Sequence, residues 1–578
     1  MAPLRAVRPL LSLLSLAICV LGYQAADVVG DGDDDQRPLG GVGFQPEEAC
    51  PDYAAYSTYA HRPLSKGPLA LPYQRPDPRC RTFHSDEIER VIDEVTARMK
   101  NPDLARLFEN AFPSTTDTTV KFHTDGHNAE ALSQPPAEDD DTGEQRQGEW
   151  QGPHSFIITG DIVAEWLRDS TNQLAPYQAL AARDPALRAL VVGAVATQAE
   201  YVIAAPYCNA FQPPPIAPGL RPTPNDGADT VHPAYNRATV FECKYELDSL
   251  AHFLALGNAL HAHTTTTTGS AAARPEFLTA RWRRAFDTVL RVLEQQSRAT
   301  FDPDTGAYAR NEYTFQRNTN TGTETLGLAG VGNPLAGGTG LVRSAFRPSD
   351  DATILGFLVP ANAMMAVELR RAAEVLRTAG GIGDAARADA AADWSRQITD
   401  GIWAHGVVHH KRYGDVFAYE VDGYGSAILM DDANYPSLLA LPRMGFVDRD
   451  DKTYQNTRRM LLEKAGNPYF LQGREFQGIG GPHVGLQNAW PMSLLIQAQT
   501  SDDDDEIMRC ITYVLESSKL GLVHESVDVN LATSYTRSWF AWANGVFAET
   551  ILDLAKRKPH LILNDSTPYE VYEMELFS

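Results

Sequence analysis

The stretch SDEIERVIDEVTARM, Ser85 to Met99, decides the fold class of this chain. Serine is a preferred N-cap, and behind Ser85 the apolar positions Ile88, Val91, Ile92, Val95 and Met99 recur at three- and four-residue steps. They therefore line one face of a helix. The pattern returns downstream. Asp184 and Pro185 supply a cap and a first-turn residue ahead of Leu187, Leu190, Val191, Ala194 and Val195. Leu247, Leu250, Ala251 and Leu254 form a third stripe, and Trp282, Phe286, Val289, Leu290 and Leu293 a fourth. Further helices are predicted over 361–378, 385–403, 452–465, 488–499, 502–518 and 537–555. No regular alternation of strand and helix intervenes, so the reading is a large, mainly α fold whose site is built by loops.

The chain has 578 residues, 43% hydrophobic and 21% charged, with its elements spread evenly and no linker through the middle, which suits one large domain over 49–578. Residues 1–26 read as a secretory signal, because Arg5 and Arg8 precede an apolar run, Leu10 to Leu21, that is short for a bilayer span. A retained signal anchor is the alternative. Residues 27–48 are acidic and glycine-rich and read as a disordered spacer. No later segment reads as long and apolar enough to cross a membrane. The formal net charge of −24 argues against nucleic acid or an anionic membrane as partner, suits a neutral polymer and serves solubility.

Of the six cysteines, Cys19 falls in the signal. In an oxidising compartment Cys50 with Cys80, and Cys208 with Cys243, would each close a local loop and leave Cys510 as a buried apolar residue. Asn564-Asp565-Ser566 is a glycan acceptor sequon in a stretch expected to be exposed. Four biased stretches, 123–152, 213–224, Thr264 to Thr268 and 327–340, read as surface insertions. The last lacks the Gly-Lys-Ser/Thr of a phosphate loop. Asp502 to Asp505 read as a helix first turn behind Ser501, where carboxylates complement the macrodipole.

Acids, aromatics and amides cluster in short strings: 160–170 with Glu165-Trp166-Leu167-Arg168-Asp169-Ser170, then Lys244-Tyr245-Glu246-Leu247-Asp248-Ser249, Arg347-Pro348-Ser349-Asp350-Asp351 and Tyr419-Glu420-Val421-Asp422. Met430-Asp431-Asp432-Ala433-Asn434, Gly480-Gly481-Pro482-His483, His524-Glu525-Ser526 and the run 535–544 follow. These are sugar-holding groups, since rings stack on the apolar face of a pyranose while carboxylates and amides take its hydroxyls. Hydrolysis of a glycoside further needs two acids. A metallohydrolase is disfavoured, as there is no His-Glu-x-x-His and His409-His410 lacks helical ligand spacing. No Gly-x-Ser-x-Gly elbow is present.

Together the strings resemble glycoside hydrolase family 125, the exo-α-1,6-mannosidases, discontinuously from about 155 to 555. The resemblance implies an (α/α)6 barrel, removal of a non-reducing terminal mannose from an α-mannoside glycan, inversion at the anomeric carbon, and neither metal nor cofactor. It places the general acid on Asp248 and the general base on Glu525, and the groups holding the terminal mannose on Trp166, Arg168, Asp169, Asp432, Asn434 and His483. Partial desolvation would raise the Asp248 pKa, and a protonated His524 would favour the Glu525 carboxylate. The residues themselves leave alternatives open: Asp248 as a surface acid paired with Lys244, Glu525 as a solvated acid, Trp166 as a core ring, and Arg168 with Asp169 as a structural ion pair. A different (α/α)6 glycosidase and a non-catalytic glycan-binding protein are the competing functions.

Overall fold

The computed structural model describes residues 49–126, 148–225, 228–268 and 275–571; the expected signal and spacer, and the middle of the polar stretch after His123, lie outside the described residues. Twelve helices organise the fold: α1 (Asp86–Arg98), α2 (Leu167–Leu174), α3 (Pro185–Ala204), α4 (Leu247–Thr268), α5 (Ala280–Gln296), α6 (Val359–Ala379), α7 (Asp384–Gly401), α8 (Leu441–Met444), α9 (Lys452–Leu461), α10 (Pro491–Gln499), α11 (Asp504–Ser517) and α12 (Ala541–Arg557). The even-numbered helices form an inner ring and the odd-numbered ones back them. Around the ring α2 packs on α4, α4 on α6 and α6 on α8, while α10 packs on α12 and α12 returns to α2. The short α8 is tied across to α12 by an Arg443–Glu549 ion pair. This is an (α/α)6 barrel, and one continuous apolar core runs through it from Leu71 to Tyr569.

How the helices begin separates most of the outer ring from the inner one; α7, which follows Gly383, is the outer helix without a side-chain cap. Ser85, Asp184, Thr279, Asp451 and Asp503 each accept a hydrogen bond from a first-turn backbone N–H of an outer helix. Such a bond satisfies one of the N–H groups that a helix start leaves without an internal partner. The inner helices α2, α6, α10 and α12 have no side-chain cap at all. Three of them are entered from two-residue strands, Glu165–Trp166, Phe357–Leu358 and Asn488–Ala489, and α12 follows a bridge between Gly160 and Phe540. Their uncapped, electropositive N-terminal ends gather at one mouth of the barrel.

Several expected boundaries move. The segment predicted as helix from 488 is a strand until Pro491 starts α10, and the one predicted from 537 stays extended until α12 begins at Ala541. The helix predicted to 465 stops at Leu461. The threonine tract is the last turn of α4 and not an insertion. Asp503, rather than Ser501, caps α11. Among the described residues one helix is in fact long and apolar enough to span a bilayer: α3, with 20 residues and hydropathy 1.3, has 72% of that window buried in the protein, against α5 and the strand His154–Ile157. Cys50–Cys80 and Cys208–Cys243 are disulfides, and Cys510 is free and buried. Asn564 is exposed, with its side-chain amide on the Met99 carbonyl at 3.2 Å.

Candidate active site

Three groups of polar side chains converge at the mouth where the inner helices begin. The first is built on a small sheet in which Glu165–Trp166 pairs with Ala210–Phe211 and that strand with Val240–Glu242. Trp166 lies edge-on to Phe241 at 5.4 Å, and its indole N–H is buried without an acceptor. The sheet delivers Arg168 and Asp169 into the first turn of α2. Arg168 faces Glu246 at 3.1 Å, Asp169 at 3.4 Å and Asp350 at 3.5 Å, with the Trp542 ring 5.0 Å away. The Arg168–Asp169 contact is thus one edge of a shared carboxylate cluster and not an isolated ion pair.

Asp248 sits in the first turn of α4 with no exposed surface, and neither carboxyl oxygen has a hydrogen-bond partner. It does not pair with Lys244, whose ammonium lies 3.3 Å from Glu242 and over the Phe346 ring. Burial pushes the Asp248 pKa up to about 7; Arg168 opposes this, and the charges of Asp350 and Asp169 add to it. His252, 3.8 Å away, is held down to about 3 by its own burial, and its Nδ1 lies 2.7 Å from the Asp248 backbone carbonyl. Asp169 is likewise raised by burial to about 7, and it feels the charges of both Arg537 and Glu525. Asp169 therefore links the Asp248 side of the pocket to the Glu525 side.

The second group surrounds Glu525. Its Oε2 accepts from the Thr536 hydroxyl at 2.6 Å and its Oε1 from Arg537 Nε at 3.2 Å, and Arg537 also grips Asp161. At 7% exposure Glu525 is not a solvated surface acid. The expected role of His524 is wrong. Its ring stacks on Tyr535 at 3.8 Å, its Nδ1 lies 3.1 Å from the Arg537 carbonyl, and burial holds its pKa down to about 4. The cation beside Glu525 is Arg537, which lies in the quoted run 535–544 but carries no role in the sequence reading.

The third group is Asp432, Asn434 and His483. Asp432 Oδ2 accepts from Ser349 at 2.6 Å and its Oδ1 from the Asn434 side-chain amide at 3.0 Å, leaving Asn434 Oδ1 buried without a donor. Gly481 packs closely here, since a Cβ would stand 3.0 Å from the Asp432 carboxylate and push it by a few tenths of an ångström. His483 Nδ1 lies 4.0 Å from Asp351 Oδ1, and its 38% exposed side chain marks the rim. Asp350 joins this group to the first, since it takes the Asn209 side-chain amide at 3.2 Å and faces Arg168 from a left-handed φ of 67°. Such a backbone is costly for a non-glycine residue and clusters at functional sites. Burial would raise the Asp350 pKa, but Arg168 and Lys244 hold it at about 2, while burial drives that of its neighbour Glu246 well up. Neither Glu246 nor Asp350 was singled out from sequence, although both lie in the quoted strings. Glu420 from those strings is structural, bound to Arg347 at 2.6 Å and to the Ile354 and Leu355 amides at 2.9 Å.

The sequence-nominated residues therefore lie among buried donors and acceptors that have no hydrogen-bond partner in the protein: Trp166 Nε1, Asp169 Oδ2, both Asp248 oxygens and Asn434 Oδ1. A sugar, each of whose hydroxyls both donates and accepts, matches so mixed a set. An (α/α)6 barrel with buried acids and unpartnered polar groups at one mouth has the parts that a glycoside hydrolase needs. Residues 101–552 match the family described as metal-independent alpha-mannosidase (GH125), and the chain belongs to that family. It is 51% identical over 524 residues, 90% of this chain and 96% of the relative, to the meiotically up-regulated gene 157 protein of Schizosaccharomyces pombe. It also resembles the solved structure of a metal-independent alpha mannosidase from Streptococcus pneumoniae in a non-productive complex with alpha-1,6-mannobiose. That match has a TM-score of 0.69 and 31% identity over 82% of this chain and 99% of the other.

Proposed function

We propose that this α-mannosidase is exo-acting and inverting, cleaving non-reducing terminal α-1,6-linked mannose with Asp248 as general acid and Glu525 as general base. The observation that carries the reading is the state of Asp248: a wholly buried, unpartnered carboxyl raised to about 7 holds a proton near neutral pH and has nothing within the protein to give it to. It protonates the glycosidic oxygen as the bond to the anomeric carbon breaks. Glu525, oriented by Thr536 and Arg537, takes a proton from the water that attacks the opposite face, releasing β-mannose. Asp169, Asp432 and Asn434 take hydroxyls of the terminal sugar, Arg168 fixes the carboxyls around it, Trp166 lines its wall and His483 its rim. The α-1,6 linkage is supported by the mannobiose held in the Streptococcus pneumoniae relative. The test is incubation with 1,6-, 1,3- and 1,2-linked α-mannobiose, reading free mannose. Release from the 1,6 isomer at a rate no faster than from the others would refute the linkage assignment.

We further propose that the protein is secreted, with a retained anchor in the secretory pathway as the alternative. Arg5, Arg8 and the apolar run Leu10 to Leu21 support this, as do two disulfides of the kind that persist in an oxidising compartment. N-terminal sequencing of protein from the culture medium decides it. A start within or before the apolar run would refute cleavage.

A further inference from the structure

Behind the Asp248 side of the mouth, a cavity of about 100 Å3 is lined by Gln296, Arg298, Thr300, Arg310, Asn311 and Arg343 among others, with Glu312 its only acidic lining residue. Arg298 is exposed and faces Glu294 at 3.4 Å and Glu312 at 4.0 Å, and Arg310 is exposed, so Arg343 is the buried cation of this lining. Arg343 is 5% exposed, and among the described residues no carboxylate is found in ion-pair contact with it. Its guanidinium donates only to neutral oxygens, the Thr300 hydroxyl at 3.2 Å and the Val331 carbonyl at 3.4 Å. Burial pulls its pKa below the ordinary value, offset only by the Tyr245 and Tyr308 hydroxyls, but an arginine has too high an affinity for its proton to escape the charge by losing it. A buried unpaired charge is strongly unfavourable, so the cavity calls for a counter-charge.

The other walls fit the same ligand. The Asn311 side-chain N–H2 is buried without an acceptor. Thr300 Oγ1 already accepts from Arg343 and, at 2.8 Å, from the Leu335 amide, which leaves its own proton to donate. Gln296 Oε1 is buried without a donor and matches a hydroxyl or a bridging water on the ligand. The space exceeds what one water needs and falls well below the roughly 300 Å3 at which ligand pockets of drug size begin. We propose that this cavity binds one small inorganic anion, held by Arg343, Asn311 and Thr300.

The site is wired to the active-site scaffold. Arg343 donates its backbone N–H to Gln296 at the end of α5, and the adjacent Ser344 hydroxyl accepts the Leu247 amide at 2.9 Å, one residue before Asp248. The Ala345 and Phe346 amides then bond the Tyr245 carbonyl. An anion on Arg343 therefore stabilises the extended segment 343–346 that holds the start of α4.

The test uses the full chain, dialysed free of salt, with chloride, sulfate and phosphate added separately at matched ionic strength. Saturable binding at one site per chain in calorimetry, with a parallel saturable rise in melting temperature, is the expected result for at least one of them; their ranking identifies the anion. Arg343→Met should abolish both responses. Should that variant fail to fold, Asn311→Leu, which leaves the buried arginine in place, should weaken the affinity several-fold with unchanged basal mannosidase activity. The proposal is overturned if no anion binds the wild type saturably, meaning that water alone fills the cavity, or if Asn311→Leu binds as tightly as the wild type.

Discussion

Asp248→Asn separates a buried, proton-holding acid from an ordinary carboxylate by stability as well as by rate. The native pKa of about 7 stands some three units above the ordinary 3.8. At about 1.4 kcal/mol per unit, ionising this carboxyl costs the folded state on the order of 4 kcal/mol. The sign follows from proton counting. Between about pH 4 and 7 the native state keeps a proton that the unfolded chain has lost, so the wild type loses stability as pH rises through that window, and the loss is complete above pH 7. Asparagine cannot ionise. Below pH 4 the two side chains are both neutral and equally unpartnered, and the proteins should unfold at closely similar denaturant concentrations. By pH 8 the variant should be the more stable by about 4 kcal/mol, a figure that already includes relief of the like charges on Asp350 and Asp169. A buried carboxyl thus makes the variant more stable at high pH, where a solvent-facing one would have left stability unchanged. Over the same series kcat should fall by roughly 10²–10⁴, the usual contribution of a general acid. The assay is urea unfolding of both proteins from pH 4 to 8, paired with turnover of an α-mannoside. Parallel stability curves would show that Asp248 is not the raised group, and near-normal turnover would remove it from the chemistry.

Glu525→Gln should likewise cost several orders of magnitude in kcat, and in the wild type proton NMR should show β-mannose first; prompt α-mannose would identify a retaining enzyme and dismiss Glu525 as base. In a substrate-analogue complex the Asp248 and Glu525 carboxyls should stand roughly 6.5–9.5 Å apart, and about 5 Å would again signal retention. Chelator should leave activity unchanged, in keeping with a metal-independent family, and loss of activity on EDTA restored by zinc or calcium would refute this. Non-reducing peptide mapping should return Cys50–Cys80 and Cys208–Cys243, while Cys510, whose thiol is pushed up to about 12 by burial, should resist alkylation until the protein is denatured; its rapid modification in the native state would contradict the buried assignment.

The stripes at Ser85 and Trp282 were legible because those two helices present one face to the core, and capping side chains at Ser85, Asp184 and Thr279 announce the starts of α1, α3 and α5. The starts of α10 and α12 were misplaced for the converse reason. An inner helix is buried on most of its sides and is entered from an extended strand without a cap, so neither periodicity nor a capping residue marks its first turn. Arg537 lies in a quoted string, but its place beside Glu525 depends on a loop geometry that the string does not show. Asp248 and Glu525 could be nominated because their strings are local and resemble a family pattern.

What the linear sequence determined by itself was therefore local: helix faces, the strings of acid and aromatic residues, and the cysteine pairs that close short loops. Tertiary structure alone decided the electrostatics. It turned His524 onto Tyr535 and put Arg537 beside Glu525. It set Glu246, Asp350 and Asp169 around one Arg168, and left Arg343 buried without a carboxylate. The physical reason is that a pKa depends on desolvation and on charges within a few ångströms, and in this barrel those charges come from segments tens to hundreds of residues apart.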